Sequence, residues 1–176
     1  METRLRRGLA AAVATGALLA PAAGAHAATH AATPAAGPAA QGVEGGFVAS
    51  VDFQSLQARD VRGNKCEFTV NGTLSFSGPV DGDAIGTTTA VIFAPCESAL
   101  AAPPGTFFDV FRFEGAFTGE VLGEPATGAL SYAGVTRVGG GIEATVILDG
   151  EDARAVLRAD AQVAVGGTYS GVAKAG

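Results

Sequence analysis

The sequence predicts an all-β protein: a single antiparallel β-barrel of about eight to ten strands, with a two-sheet β-sandwich as the alternative. Three observations support this class. Apolar and polar residues alternate over most of the chain beyond residue 43, Gly, Asp and Pro separate the alternating runs, and no stretch carries an apolar stripe of helical period. Alternation of period two is the pattern of a strand with one buried face.

The first strand shows this pattern most clearly. Phe47, Ala49, Val51 and Phe53 fall on one face, with polar residues between them. The same alternation predicts strands in residues 66–70, 74–76, 107–113, 130–132, 142–148, 156–164 and 165–173. Asp81-Gly82 and Asp149-Gly150 are predicted hairpin tips, because Asp-Gly readily adopts the positive φ angles of a tight turn.

Glycines recur beside aromatic residues. Residues 76–86 (FSGPVDGDAIG) and 113–123 (FEGAFTGEVLG) share an aromatic residue and three glycines at identical spacing, and Tyr132-Ala133-Gly134 and Tyr169-Ser170-Gly171 repeat the aromatic-x-Gly unit. Residues two apart share a strand face, so each unit sets a ring beside bare backbone. We expect rings that cover glycines in a curved sheet. A ligand-stacking platform and an internal duplication are the alternatives.

The N-terminus has the pattern of an export signal. Three arginines precede an apolar run at residues 9–23, which leads to Ala25-His26-Ala27, an A-x-A cleavage site. The run is shorter than the roughly 18 to 20 residues that span a bilayer. We therefore predict a signal peptide at residues 1–27, a secreted protein and no stable membrane insertion, with a retained anchor as the alternative.

Residues 28–42 are rich in Ala, Pro and Gly and lack apolar periodicity, which predicts a flexible leader before a β-barrel domain at residues 43–176. Of the 11 basic and 17 acidic residues, three arginines and Glu2 belong to the signal, leaving eight basic and sixteen acidic residues. A negatively charged domain is repelled by nucleic acid and by anionic lipid, so we expect neither as a partner.

Cys66 and Cys96 are the two cysteines of a chain that we expect in an oxidising compartment. Their midpoint falls at Asp81, so a hairpin folded at Asp81-Gly82 brings them opposite each other. The sequence predicts a structural, cross-strand disulfide between them. A redox-active pair is disfavoured, because the spacing is not C-x-x-C.

Few residues in the domain offer catalytic chemistry. Both histidines, His26 and His30, precede the domain, which excludes a Ser-His-Asp triad and a histidine metal centre within it. The acidic clusters at residues 81–83 and 149–152 match no calcium-loop pattern and are explained as turns. We predict no metal, no cofactor and no catalytic residue.

The C-terminal run VGGTYSGVAKAG, residues 165–176, resembles a glycine-rich strand pair of the allene oxide cyclase and dirigent-type barrels. The resemblance covers about a dozen residues and lacks one glycine-containing step between Thr168 and Tyr169. It implies an eight-stranded antiparallel barrel that holds an apolar small molecule in its mouth. No functional residue of those families maps onto this chain.

These observations favour a non-catalytic exported module that binds a small apolar molecule or a protein partner. A cyclase or isomerase that uses a barrel cavity is the first alternative. An outer-membrane barrel is the second, although the chain has no tryptophan and two tyrosines to form aromatic girdles.

The predicted ligand site is on the strand at residues 107–113. Asp109 shares a strand face with Phe111 and Phe113. Burial of a carboxyl group among aromatic rings costs free energy unless the group is paired or hydrated, as it would be at the mouth of a cavity. Tyr132 completes the candidate set. The alternative is a strand between two apolar layers with Asp109 at its edge.

Overall fold

A computed structural model describes residues 39–176, which form a closed antiparallel barrel. Its elements are β1 (Gln41–Val61), β2 (Lys65–Ser77), β3 (Val80–Ile92), helix α1 (Cys96–Ala101), β4 (Asp109–Val121), β5 (Glu124–Thr136), β6 (Gly141–Asp149), β7 (Ala153–Gln162) and β8 (Gly166–Ala175). Each strand pairs with the next in the chain, and β8 pairs with β1. The eight-stranded barrel is confirmed, and closure excludes the sandwich.

The predicted signal peptide and residues 28–38 of the predicted leader lie outside the described residues. Strand β1 begins at Gln41, so the last residues assigned to the leader, Gln41 and Gly42, already pair with Ala173 and Val172 of β8. No helix within residues 39–176 is long and apolar enough to cross a membrane.

The inward faces of the strands fill most of the barrel with an apolar core. Alternation along β4 shows the pattern: Phe111, Phe113, Phe117 and Val121 are buried, while Val110 and the charged residues between them face outward. One end, at the β2–β3, β4–β5 and β6–β7 hairpins, is packed solid with Val80 and Val121. We call it the sealed end.

The two glycine-rich repeats lie side by side in the barrel. Residues 80–86 of the first repeat, in β3, run antiparallel to residues 115–121 of the second, in β4, with Gly86 opposite Gly115 and Gly82 opposite Gly119. A Cβ atom on Gly115 would lie 2.8 Å from the ring of Phe113, so that ring covers its glycine as expected. At Gly78, Gly134 and Gly171 the nearest atoms do not belong to the ring two residues earlier. The identical spacing therefore matches glycines across a strand pair, where rings need room inside the barrel.

One of the two predicted hairpin tips is wrong. The β2–β3 turn is at Gly78-Pro79, so Asp81 and Gly82 are residues of β3. Gly78 has a φ of 112°, which glycine adopts readily, and Pro79 cannot donate to a ladder, so this pair makes a better turn. Asp149-Gly150 does lie at the β6–β7 connection. Neither Asp149 nor Gly150 has a positive φ, so the expected tight turn with positive φ angles is wrong there.

The disulfide between Cys66 and Cys96 is confirmed, but it does not link two strands. Cys66, in β2, lies opposite Ile92 of β3, and Cys96 is the first residue of α1 beyond the end of β3. With the turn at Gly78-Pro79, the residue of β3 opposite Cys66 is Ile92, and Cys96 comes four residues later in the chain. The bond therefore ties a short helix to the barrel wall.

Candidate functional site

A cavity of about 410 Å³ occupies the end of the barrel opposite the sealed end. Its walls come from the inward faces of β1 to β6, and its covering comes from residues 99–107, with Val163 and Ala164 at the edge. Most of the lining is apolar. The polar lining residues are Thr88, Thr106, Asp109, Tyr132 and Thr136. The volume lies within the roughly 300–1,000 Å³ of small-molecule pockets.

The covering residues belong to a longer segment, residues 96–107, which we call the roof and whose structure follows from local sequence. Helix α1 ends at Ala101, and the next residue, Ala102, is extended (φ −101°, ψ 151°) because Pro103 follows it. Two links hold the roof in place: the disulfide at Cys96 and a backbone hydrogen bond from Gly139 N–H to the Gly105 carbonyl at 2.9 Å. A third hydrogen bond, from Phe93 N–H to the Phe108 carbonyl at 3.0 Å, joins the residues that flank the roof.

A bend in β1 completes the rim of the cavity. Pairing with β2 shifts register between Asp52 and Gln57, and the Ser55 hydroxyl accepts a hydrogen bond from Asn71 N–H at 2.8 Å within the shift. Such a bulge re-aims side chains. Phe53 and Leu56 consequently lie on the cavity wall.

Asp109 is the charged residue of the cavity wall. It opens β4 opposite Thr136 of β5, a buried residue whose side chain hydrogen-bonds the carboxyl group. Burial raises the pKa of Asp109 to about 6, and the hydrogen bond from Thr136 opposes that rise. Neighbouring arginines face outward: Arg112 pairs with Glu114 at 2.6 Å. Asp109 therefore lacks a cationic partner among the described residues that line the cavity.

Tyr132 lies in the wall between two other rings. Its ring centroid is 5.0 Å from that of Phe111 and 5.6 Å from that of Phe47, both in edge-on geometry. The residue is 5% exposed, its hydroxyl has no hydrogen-bond partner, and burial raises its pKa. A buried hydroxyl without a partner is a costly arrangement.

Tyr169, the other tyrosine, shows the contrast. Its hydroxyl accepts a hydrogen bond from Val80 N–H at 3.1 Å and lies 3.1 Å from the carbonyl oxygens of Ser77 and Val80. It joins β8 to the β2–β3 turn at the sealed end. Tyr169 thus has a structural role, whereas Tyr132 faces the part of the barrel that is not filled.

Three of the four predicted ligand-site residues, Asp109, Phe111 and Tyr132, line the cavity. Phe113 does not: it lies one layer deeper, 2% exposed, within the core. Sequence reasoning missed Thr136 because its proximity to Asp109 depends on strand register. It also missed Phe53 and Phe68 as lining residues and assigned Phe107 to a strand, whereas Phe107 precedes β4 and lies in the roof.

The chemistry available at the cavity is hydrogen bonding and proton exchange within an apolar enclosure. A carboxyl group with a pKa near 6 populates both protonation states near neutral pH. Within residues 39–176 no group of three or more His, Cys, Asp or Glu residues is placed to hold a metal ion.

Fold and cavity together define a small all-β barrel with one sealed end and one roofed, mainly apolar cavity. No protein-family model matches the chain, and no curated protein is significantly similar to it.

Proposed function

We propose that this protein is an exported binding module that holds a small, mainly apolar molecule in the roofed cavity. The observation that carries the proposal is the cavity itself: the barrel is packed solid at one end and leaves about 410 Å³ between Phe111, Tyr132 and the roof at the other. Binding of an apolar molecule there removes apolar surface from water on both partners.

Blocking the cavity tests the proposal. Ala90 lies on the cavity wall opposite Phe111 in the β3–β4 ladder, so Ala90→Phe fills the space with a ring. Ala133 faces outward on β5, and Ala133→Phe is the matched control. We expect 1-octanol, measured by isothermal titration calorimetry, to bind the wild type and the control but not Ala90→Phe. Equal binding to all three, or to none, contradicts the proposal.

The native ligand can be sought directly. Protein recovered from its own producer and examined by native mass spectrometry should carry a small molecule that is absent from Ala90→Phe. Export is tested in the same spectra, because cleavage after Ala27 gives a mature chain that begins at Ala28 and contains one disulfide. The Cys66–Cys96 bond is compatible with an extracellular location.

A cyclase or isomerase is the second candidate. One observation favours it: Asp109, with a pKa near 6, is suited to accept and return a proton inside a water-poor cavity. This alternative agrees with the resemblance to allene oxide cyclase and dirigent-type barrels. Conversion of a bound molecule by the wild type and not by Asp109→Asn would favour it over simple binding.

An outer-membrane barrel has less support. Transmembrane barrels carry an apolar band outside and polar groups inside. Here the interior is apolar, and ion pairs such as Arg112–Glu114 and Arg154–Asp149 lie on the outer surface.

A further inference from the structure

The cavity has one charge, and nothing in the wall neutralises it. Asp109 is the only ionisable carboxyl or basic side chain among the described residues that line the cavity. A carboxylate partly removed from water is destabilised unless a cation or several donors approach it. The protein supplies one donor, the Thr136 side chain. A cation is therefore the group that this wall is best suited to bind.

Aromatic rings surround the same space. Five line the cavity: Phe53, Phe68, Phe107, Phe111 and Tyr132. The face of an aromatic ring attracts a cation, and the attraction grows when the cation is desolvated. An anion meets the opposite situation, because Asp109 repels it.

The charges around Asp109 do not alter this conclusion. From β3 it faces Ile92, and from β5 it faces Thr136. Arg112 pairs with Glu114 and Arg137 with Glu143 on the outer surface. Lys65 of β2 lies over the half-exposed ring of Phe93, 4.4 Å from its centroid, and is not among the cavity-lining residues. Glu97 of the roof is exposed. The described residues carry eight basic and sixteen acidic side chains, an excess of negative charge that attracts cations to the protein.

From these observations, and resting on the proposed function, we propose that the ligand is an apolar amine whose ammonium group pairs with Asp109 and whose hydrocarbon part lies between Phe111, Tyr132 and the roof. Charge-assisted hydrogen bonds are stronger than neutral ones, so the amine should be preferred over an alcohol of equal length. The corresponding carboxylate should be excluded.

A matched ligand series tests the proposal. We expect octylamine to bind at pH 7.5 about 10- to 100-fold more tightly than 1-octanol, the range expected of one charge-assisted pair, and octanoate not to bind. Asp109→Asn keeps the size of the side chain and its hydrogen bond to Thr136. It should reduce the affinity for octylamine to that for octanol and leave octanol unchanged.

Asp160→Asn is the control for general attraction. Asp160 is exposed on the outer face of β7, and its loss changes the net charge by the same amount without touching the cavity. Asp160→Asn should still bind octylamine more tightly than octanol. A loss of octylamine affinity equal to that in Asp109→Asn would mean that the preference comes from net charge, and would overturn the proposal.

Acidity provides an independent readout. An alkyl ammonium stays protonated throughout the range, so a drop from pH 7.5 to 5 changes the pairing mainly by protonating Asp109. Octylamine affinity of the wild type should fall about fivefold to tenfold, and that of Asp109→Asn should not change.

Equal affinity of the wild type for octylamine and octanol overturns the amine proposal but leaves the binding function standing. Failure of both to bind overturns both proposals.

Discussion

At the scale of single residues, Asp109 couples the stability of the fold to pH. Burial raises its pKa from 3.8 to about 6, so the folded state binds a proton more tightly than the unfolded state. The favourable contribution is complete below about pH 4 and is lost as pH rises through 6. Asp109→Asn should therefore be more stable than the wild type at pH 7.5 by about 1–2 kcal/mol, after allowance for solvent screening.

Urea unfolding at pH 4 and pH 7.5 checks this prediction. The other carboxyl groups are common to both proteins, so they cancel in the difference between wild type and variant. A stability difference of the same size at both pH values would show that Asp109 does not titrate as the buried environment requires.

The two tyrosines should respond in opposite ways to loss of the hydroxyl. Tyr132→Phe removes a buried group without a partner, so stability should be unchanged or rise by up to about 1 kcal/mol. Tyr169→Phe leaves the Val80 N–H without its acceptor and should lower stability by about 1–3 kcal/mol. Denaturant unfolding measures both, and similar losses in the two variants would contradict the assignment of a structural role to Tyr169 alone.

At the scale of elements, the pairing of glycines between β3 and β4 sets the approach of the two strands. A Cβ atom on Gly86 would lie 2.5 Å from the Cα atom of Gly115 and would also collide with the Glu114 carbonyl oxygen, and neither backbone atom can move cheaply. Gly86→Ala should therefore lower stability by about 2–4 kcal/mol.

Gly141→Ala is the matched control. Gly141 begins β6 and lacks a positive φ, and a Cβ atom added to it would have no neighbouring atom within 4 Å. Its substitution should change the free energy of unfolding by less than about 1 kcal/mol. Equal effects at the two positions would mean that strand spacing does not depend on the glycine pair.

The disulfide should matter to the barrel and to the roof. It closes a loop across a sequence separation of 30 residues, and the chain-entropy relation gives about 3–4 kcal/mol for that length. Reduction of the wild type should lower its guanidinium midpoint accordingly, whereas Cys66→Ala/Cys96→Ala should be insensitive to reductant. A wild-type midpoint that is the same with and without reductant would contradict this role.

At the scale of the whole molecule, the barrel could be predicted because its evidence is local. Alternation along β4 and the glycine beside Phe113 indicate which face of the strand is buried, and this can be inferred without knowing which strand pairs with it. The pairing of Cys66 with Cys96 was also accessible, since these are the two cysteines of the chain.

What sequence reasoning could not supply depends on register and on irregular backbone. The turn at Gly78-Pro79 rather than Asp81-Gly82 changes which residues face each other across β2 and β3. The contact of Asp109 with Thr136 follows from the β4–β5 register. The helical turn within the roof was also missed, because a six-residue helix is too short to leave a helical period in the sequence.

The order of the strands carries the last prediction. Every strand pairs with its sequence neighbours, and β1 and β8 close the barrel with Gln41 opposite Ala173, so the start of β1 and the end of β8 share the sealed end. The β6–β7 connection at residues 150–152 is at the same end, far from the cavity. A circular permutant can therefore be made in which a short flexible linker joins the end of β8 to the start of β1 and the chain is opened at the β6–β7 connection. This permutant keeps every strand pair.

We expect this circular permutant of residues 39–176 to fold into the same barrel, with a stability within about 2 kcal/mol of the parent, because one short loop replaces another. Octanol binding should be retained, since the roof, Asp109 and the disulfide are untouched. A second permutant, opened at residues 102–104, cuts the roof and is the control: it should keep the barrel's circular dichroism spectrum and lose affinity. Binding is expected to separate the two permutants because the ladders that hold the barrel together are independent of the short segment that encloses the cavity.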